Sequence, residues 1–389
     1  MKLLPFDYAV RNLSRSPVRL ALSLAGSALV VLLVLAAGGF VRGMNQSLHI
    51  SGVANNVILL GAGSEESVER SEISPSVPGL VLASVPGIKQ RLGVPFVSPE
   101  VFLMGALKES KAESSPGHQI LMRGITPAAF LVHSQVRLIE GRAPEAGRDE
   151  IILGALVGER MGLSRERLAV GNTLAFDQRV WTIVGRFEAP ATVMEAEVWV
   201  PLSDLQIAAI RDNLSCVVVT LDTAEFADVD AFAKTRLDLE TVAMTEADYY
   251  AKLGAFFRPI QTMIWITAIL IATGGLFGGL NTMYAAFASR IREIGALQAI
   301  GFPRYAIVLS LMQESVLASA AGTLLAAVIA VLLLNGIAVR FSMGVFGLTI
   351  DSSVLLLGLA AGLLLGVIGA LPPAWRCLRM PVNDALKSF

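Results

Sequence analysis

Cysteine and histidine are nearly absent, two of one and three of the other in 389 residues. Charged residues are also scarce, at 16% of the chain, against about 25% in an ordinary soluble domain. Each shortage removes a class of chemistry. His49, His118 and His133 lack the His-Glu-x-x-His spacing that sets two imidazoles on one helix face for zinc; they read as ordinary surface or loop residues. No Gly-Lys pair occurs, which excludes the phosphate-cradling P-loop. No Gly-x-Ser-x-Gly nucleophile elbow occurs either. Glu65 and Glu66 sit in a serine-rich polar stretch and read as solvated. The chain reads as a non-enzyme with no metal or cofactor site of its own. The net charge of −1 is uninformative about nucleic acid, but no basic tail or basic patch interleaved with aromatics occurs, and no nucleic-acid partner is expected.

What the chain does have is apolar sequence: 54% of its residues, with a mean hydropathy of +0.64. It is concentrated in four blocks, 20–41, 260–287, 306–334 and 353–371. A helix needs about 20 apolar residues to cross a bilayer, and each block reaches or nearly reaches that length. This is a membrane protein in contact with lipid. The first block exceeds the roughly 7–15 residues of a signal-peptide core and follows a long leader, so it reads as an uncleaved anchor.

Basic residues near the helix ends set orientation. Lys2, Arg11, Arg15, Arg19, Arg290, Arg292, Arg304, Arg376, Arg379 and Lys387 fall on one side, ten against the four of Arg42, Lys252, Arg258 and Arg340. Both termini and the loop 288–305 are therefore expected in the cytoplasm. The expected order is a cytoplasmic amphipathic N-terminus (1–19), helix 1, an extracytoplasmic domain with its stalk (42–258), helix 2, the loop 288–305, helix 3, an external loop (335–352), helix 4 and a cytoplasmic tail (372–389). Cys216 lies outside and Cys377 inside on this reading, so no disulfide joins them.

Residues 43–258 read as a globular α/β domain inserted between helices 1 and 2. Strand-like runs are "NNVILLG" (55–61), "EIILG" (150–154), "RVWTIVGRF" (179–187), "EVWVPL" (197–202) and "SCVVVTL" (215–221). The stretch 171–187 reads as a hairpin turning at Asp177-Gln178, and 223–237 as a helix with Phe226, Val229, Phe232 and Ala233 on one face. The polar stretches 61–79 and 108–119 read as exposed loops. In the membrane blocks, Gly274, Gly275, Gly278 and Gly279 form two overlapping G-x-x-x-G patterns, and Gly358, Gly362 and Gly366 repeat the spacing. Such faces let helices approach closely in lipid, within one chain or between two. Glu314 stands two to three turns into the third block, where a charge is costly. A proton or substrate contact is one reading; a satisfied polar anchor near the cytoplasmic surface is favoured over it.

"SRIREIGALQAIGF" (289–302) interrupts the apolar pattern with charge. It contains good helix formers, and Gly301 before Phe302-Pro303 makes a natural stop. Arg290 and Glu293 fall among Ile294, Leu297 and Ile300 on the helical wheel. A helix lying on a membrane separates its faces better, so the composition points to docking on a partner.

The segment 281–322 resembles the core of MacB/FtsX-like ABC transporter permeases, in which an Arg-Glu-Ile-Gly box is followed by a glycine and a membrane glutamate. The matching residues are Arg292, Glu293, Ile294, Gly295, Gly301 and Glu314. "VRNLSRSPVRLALSLAG" (10–26) is similar to the family's entry into its first helix and "PPAWRCLRMPVNDALK" (372–387) to its exit. Two stretches within 140–190 resemble the extracytoplasmic domain of MacB-like members. The resemblance implies two copies of a separate cytoplasmic ATPase that uses ATP and Mg, and a second permease copy as homodimer or related heterodimer. It also implies a coupling helix at 288–305 that seats in the ATPase, with Arg290, Arg292, Glu293, Ile294, Gly295 and Gly301 as coupling residues. A periplasmic or outer-membrane partner is a further implied component. The location implied is the bacterial inner membrane. Three functions stay open: export of lipid, lipoprotein, peptide or drug, which the sizeable external domain favours; mechanical regulation of a cell-wall hydrolase; and sensing of an antimicrobial peptide.

The orientation is testable. A cysteine introduced at Gln135 is expected to be labelled by an impermeant thiol reagent in intact cells, and one at Gln298 protected. Labelling at Gln298 without permeabilisation would overturn the four-helix topology.

Overall fold

The protein is described by a computed structural model covering residues 6–15, 17–109, 117–341 and 344–379. Lys2, Lys387, residues 110–116 of the polar stretch and 380–387 of the C-terminal exit lie outside the described residues. In chain order, α1 (Phe6–Ser14) and the long α2 (Pro17–Ser51) lead into β1 (Asn56–Gly61) and α3 (Val77–Ser84). The short pair β2 (Gln90–Arg91) and β3 (Val94–Pro95) precedes β4 (Val97–Glu109), β5 (His118–Ile125), α4 (Ala129–Val132), β6 (Arg137–Gly141) and β7 (Glu150–Gly154). Next come α5 (Val157–Met161), β8 (Thr173–Phe176), β9 (Arg179–Glu188), β10 (Val198–Pro201), α6 (Leu202–Ala209) and β11 (Cys216–Thr220). The chain continues through α7 (Phe226–Thr235), β12 (Thr241–Thr245), α8 (Glu246–Phe256), α9 (Arg258–Ala288) and α10 (Ile291–Ala299). It ends in α11 (Arg304–Ile329), β13 (Ala338–Phe341), β14 (Gly344–Gly347) and α12 (Ser352–Leu378).

These elements form two units. One comprises residues 1–42, 259–337 and 348–389; the other comprises 43–258 and 338–347. Among the described residues, four helical spans are long and apolar enough to cross a membrane: Leu20–Ser51, Arg258–Ala288, Arg304–Leu334 and Ser352–Leu378. In the helical unit, glycines admit neighbouring side chains, because dispersion at close range is what holds helices together in lipid. A Cβ at Gly362 would overlap the Thr323 hydroxyl, one at Gly366 Ser319, and one at Gly358 Leu35. Ser319 Oγ also donates to the Gly362 carbonyl at 2.9 Å. The fourth helix runs past the expected end at 371, through Pro372 and Pro373, to Leu378. Prolines there forfeit backbone donors. The last turns are nevertheless packed, since Ala374, Cys377 and Leu378 are buried in one cluster with Phe287, Ile294 and Leu311.

The other unit is built on a ten-stranded sheet of order β12-β1-β11-β4-β5-β10-β7-β9-β6, with β8 paired to both β4 and β9. The five strand-like runs correspond to β1, β7, β9, β10 and β11. Asp177 and Gln178, with φ of 47° and 63°, make the β8–β9 turn of the left-handed kind that suits hairpin twist. The stretch 61–79 is not an exposed loop throughout: Val68, Ser71, Ile73 and Val77 are buried. Ser71 Oγ accepts from Gly61 N at 2.8 Å, and Ile73 N donates to the Leu214 carbonyl at 2.9 Å. The stretch 335–352, expected as an external loop, contains the β13–β14 hairpin, which belongs to the sheet-bearing unit.

β4 changes partners along its length. Val97–Glu100 pairs with β11, Val101–Leu107 with β5, and Lys108–Glu109 with β8. At the changeover the unit buries a group of charges. Register sets Arg123 on β5 opposite Phe102 on β4 and Trp199 on β10, whose rings lie 4.4 and 5.5 Å from its guanidinium carbon. Arg123 forks onto Glu197 through Nε and Nη2, both at 2.7 Å, and reaches Glu100 through Nη1 at 2.9 Å. His133 Nε2 donates to Glu100 Oε1 at 2.7 Å, and its Nδ1 lies 3.7 Å from Glu246. Asn56 Nδ2 and Val53 N donate to Glu246 Oε2, each at 2.9 Å. His133 is thus not a surface or loop residue but 1% exposed: α4 carries it to the carboxylates, and two of them face its ring nitrogens.

Burial acts to raise the Glu100 pKa, but His133 and Arg123 outweigh it and hold it at about 2. A carboxylate depressed in the fold stabilises above its ordinary pKa, and that contribution is lost as pH falls toward 2. The same unit holds an apolar cavity of about 80 Å³ lined by Met44, Leu48, Tyr250, Phe257, Phe341 and Phe346, with Arg123 and Glu197 also in its wall. Ligand pockets generally measure about 300–1,000 Å³, so this one serves packing. Arg123→Met would strand two buried carboxylates, which costs about 3–5 kcal/mol. Denaturant unfolding at neutral pH, followed through the buried Trp199, is expected to show that loss, and acid unfolding to move to higher pH. A change within about 0.5 kcal/mol, the range of a neutral surface substitution, would show that the cluster does not hold the unit.

Candidate coupling site

Residues 289–302 fold as the short α10 followed by a tight stop. Gly301 has φ +98°, a conformation that a side chain strains. Its N–H donates to Gln298 O at 3.0 Å, while Phe302 N donates to Leu297 O at 3.1 Å. This is the paired closure of a helix end with glycine in the left-handed position. Ile294 and Gly295 are buried, and Ile294 packs with Phe287, Ile307 and Leu311, backed by Leu297 and Phe302. Arg292 and Ile300 are exposed.

The charges that look misplaced on the helical wheel turn toward one another. Arg290 Nε donates to Glu293 Oε2 at 2.8 Å and Arg290 Nη1 to Glu314 Oε2 at 2.8 Å. Tyr8 Oη and Arg15 Nη1 both donate to Glu293 Oε1 at 3.0 Å. One arginine therefore ties the start of α10 to the middle of α11, and one glutamate ties α10 to α1. Burial works against the Glu293 carboxylate, yet Arg290, Tyr8 and Arg15 keep its pKa below the ordinary value. Burial likewise works against charge on Arg290, and Glu293 and Glu314 more than offset it. Glu314 is 5% exposed. Through these contacts one arginine and two carboxylates hold α1, α10 and α11 in one relation.

Two family models cover the chain. The MacB-like periplasmic core domain matches residues 20–235, and the FtsX-like permease C-terminal domain matches 265–382. The chain belongs to the MacB/FtsX-like ABC transporter permease family. It is 26% identical over 230 residues to the macrolide export ATP-binding/permease protein MacB of Pasteurella multocida (strain Pm70). That match takes in 56% of this chain but only 35% of the relative. The periplasmic region of MacB from Actinobacillus actinomycetemcomitans aligns at 13% identity and a TM-score of 0.38, over 50% of this chain and 91% of that one. The extracellular domain of the noncanonic ABC-type transporter YknZ from Gram-positive bacteria aligns at 16% and 0.38, over 49% of this chain and all of that one. Four spans and a periplasmic core domain make the permease a bacterial inner-membrane protein.

The permease brings Arg290, Glu293 and Glu314 together and leaves Arg292 and Gly301 to other tasks. Of the first glycine set, Gly275 meets Val30, whereas a Cβ at Gly274, Gly278 or Gly279 would have no atom within 4 Å. Tyr8 and Arg15 belong to the site and are not evident from the box alone. Tyr8 and Asn12 on α1 and Arg15 just past its end recur at helical spacing of four and three, which marks one polar face. The partner of that face is what the spacing leaves unspecified.

If Arg290 and Glu314 act as a pair, Arg290→Gln and Glu314→Gln should each lower the thermal midpoint of the detergent-purified permease. The double variant should lose less than the sum, with a coupling of about 0.5–3 kcal/mol. Simple additivity would dissolve the clamp.

Proposed function

We propose that this chain is the non-catalytic membrane subunit of an ABC transporter, driven by two copies of a separate cytoplasmic ATPase that consumes ATP and Mg. α10 is the coupling helix. Both termini and the 288–305 loop are cytoplasmic, and the sheet-bearing unit stands outside the membrane between the first and second spans. The observation that carries the reading is the clamp: Arg290 and Glu293 bind α10 to α11 and α1, so a push on α10 is passed to two other helices instead of being absorbed by a loose loop.

The clamp divides the coupling residues into two kinds. Arg290, Glu293, Ile294 and Gly295 set the position of α10 from within, and Arg292 presents charge on its exposed side. Gly301 fixes where the helix stops. A second permease copy, as homodimer or related heterodimer, would meet the open Gly274–Gly278–Gly279 face of α9. Export of a lipid, lipoprotein, peptide or drug is the favoured task, and the macrolide export named for the Pasteurella relative supports it. The external unit would move the cargo from the outer side of the membrane, with a periplasmic or outer-membrane partner receiving it.

The test is co-purification with the cognate ATPase. Arg292→Glu reverses an exposed charge and is expected to leave membrane insertion and thermal stability intact while weakening ATPase association tenfold or more, on the order of the 2 kcal/mol or greater loss at an interfacial charge. Gly301→Val is expected to lose association through backbone strain at a positive φ. Normal association by both would leave α10 as a connector.

A further inference from the structure

At the α10 end of the membrane helices, α11 and α12 enclose a groove of about 590 Å³. Val308, Leu309, Met312 and Leu371 form its apolar part. Tyr305 and Trp375, 49% and 58% exposed, flank it. Arg304, the first residue of α11, and Arg379, just past the last residue of α12, also line it. Arg379 lies over the Trp375 ring at 5.5 Å. Among the described residues, the lining contains no carboxylate. Among the described residues, neither arginine pairs with an Asp or Glu.

Charge and apolar character are therefore separated along the helix axes. Met312 is eight residues from Arg304 and Leu371 eight from Arg379, so each arginine stands about 12 Å from the deepest apolar side chain on its own helix. Basic residues at helix ends, aromatics beside them and an apolar slot beneath match the order of phosphate, interface and acyl chain in a bilayer leaflet. The volume lies within the range of ligand-binding pockets. We propose that this groove binds one anionic phospholipid, its phosphate held by Arg304 and Arg379 and an acyl chain lying along Val308, Leu309, Met312 and Leu371.

The site is independent of the coupling reading and is tested without the ATPase. Trp181 and Trp199 are fully buried in the sheet-bearing unit. In a Trp265→Phe background, Trp375 becomes the tryptophan open to lipid. The full chain is reconstituted into phosphatidylcholine vesicles doped with acyl-brominated phosphatidylglycerol or acyl-brominated phosphatidylcholine, and quenching is followed against mole fraction. Each basic residue near a membrane surface contributes about fivefold in affinity for anionic lipid. Phosphatidylglycerol is thus expected to quench with about 25-fold preference. That preference should fall to about fivefold in Arg304→Gln or Arg379→Gln and vanish in the double variant. Both arginines are exposed, so the variants are expected to keep the fold. Equal quenching by the two lipids, or a preference that survives in the double variant, overturns the proposal. So does quenching by neither, which would assign the groove to a protein segment instead.

Discussion

Glu314 puts a carboxylate inside a helix that is otherwise suited to hydrocarbon, and a charge at that depth is tolerated only when something answers it. Arg290 answers it at 2.8 Å. To do so it must stand at the start of α10, which fixes where α9 ends and α10 begins. Its Nε holds Glu293, and Glu293 in turn collects Tyr8 and Arg15. The position of three helices thus follows from one buried carboxylate and the arginine that answers it. That makes the intervening loop a structural part and not a tether.

The sheet-bearing unit solves a similar problem in the same way. Arg123 lies between Glu100 and Glu197 as Arg290 lies between Glu293 and Glu314. Guanidinium has five donors in a rigid fork, so one side chain can engage two carboxylates from different elements without losing geometry. In one case it joins helices; in the other it pins β4 at the residue where the strand exchanges one neighbour for another. A lysine in either place would offer a point charge without the fork.

Legibility varied with the range of the interaction. The four spans, the β8–β9 turn and the Gly301 stop were readable because length, an Asp-Gln turn and a glycine before Phe-Pro act locally. The Gly358–Gly362–Gly366 face was readable as a packing face, though its companions Leu35, Thr323 and Ser319 were not. His133 was misread as a surface or loop residue because its carboxylate neighbours lie 33 and 113 positions away in the chain. β4 and β5 escaped notice because one mixes Pro, Glu and Lys into its length and the other carries an arginine that only the fold shows to be buried. The clamp was half visible: the motif supplied Glu293 and Glu314 and the charged loop supplied Arg290, while Tyr8 and Arg15 come from the far end of the sequence.

The hairpin at 338–347 is a small element, but its place in the sheet-bearing unit has a consequence for synthesis. The rest of that unit ends at Arg258, so the chain makes 79 further residues before Ala338 appears. At about 5–20 residues per second, the unit waits roughly 4–16 s for its last piece. During that interval two membrane helices must be inserted, and the aromatic pair Phe257 and Phe341, 5.3 Å apart in the finished protein, cannot yet exist. The sheet-bearing unit is thus completed only after two long helices of the other unit have been made, although most of its own residues precede them.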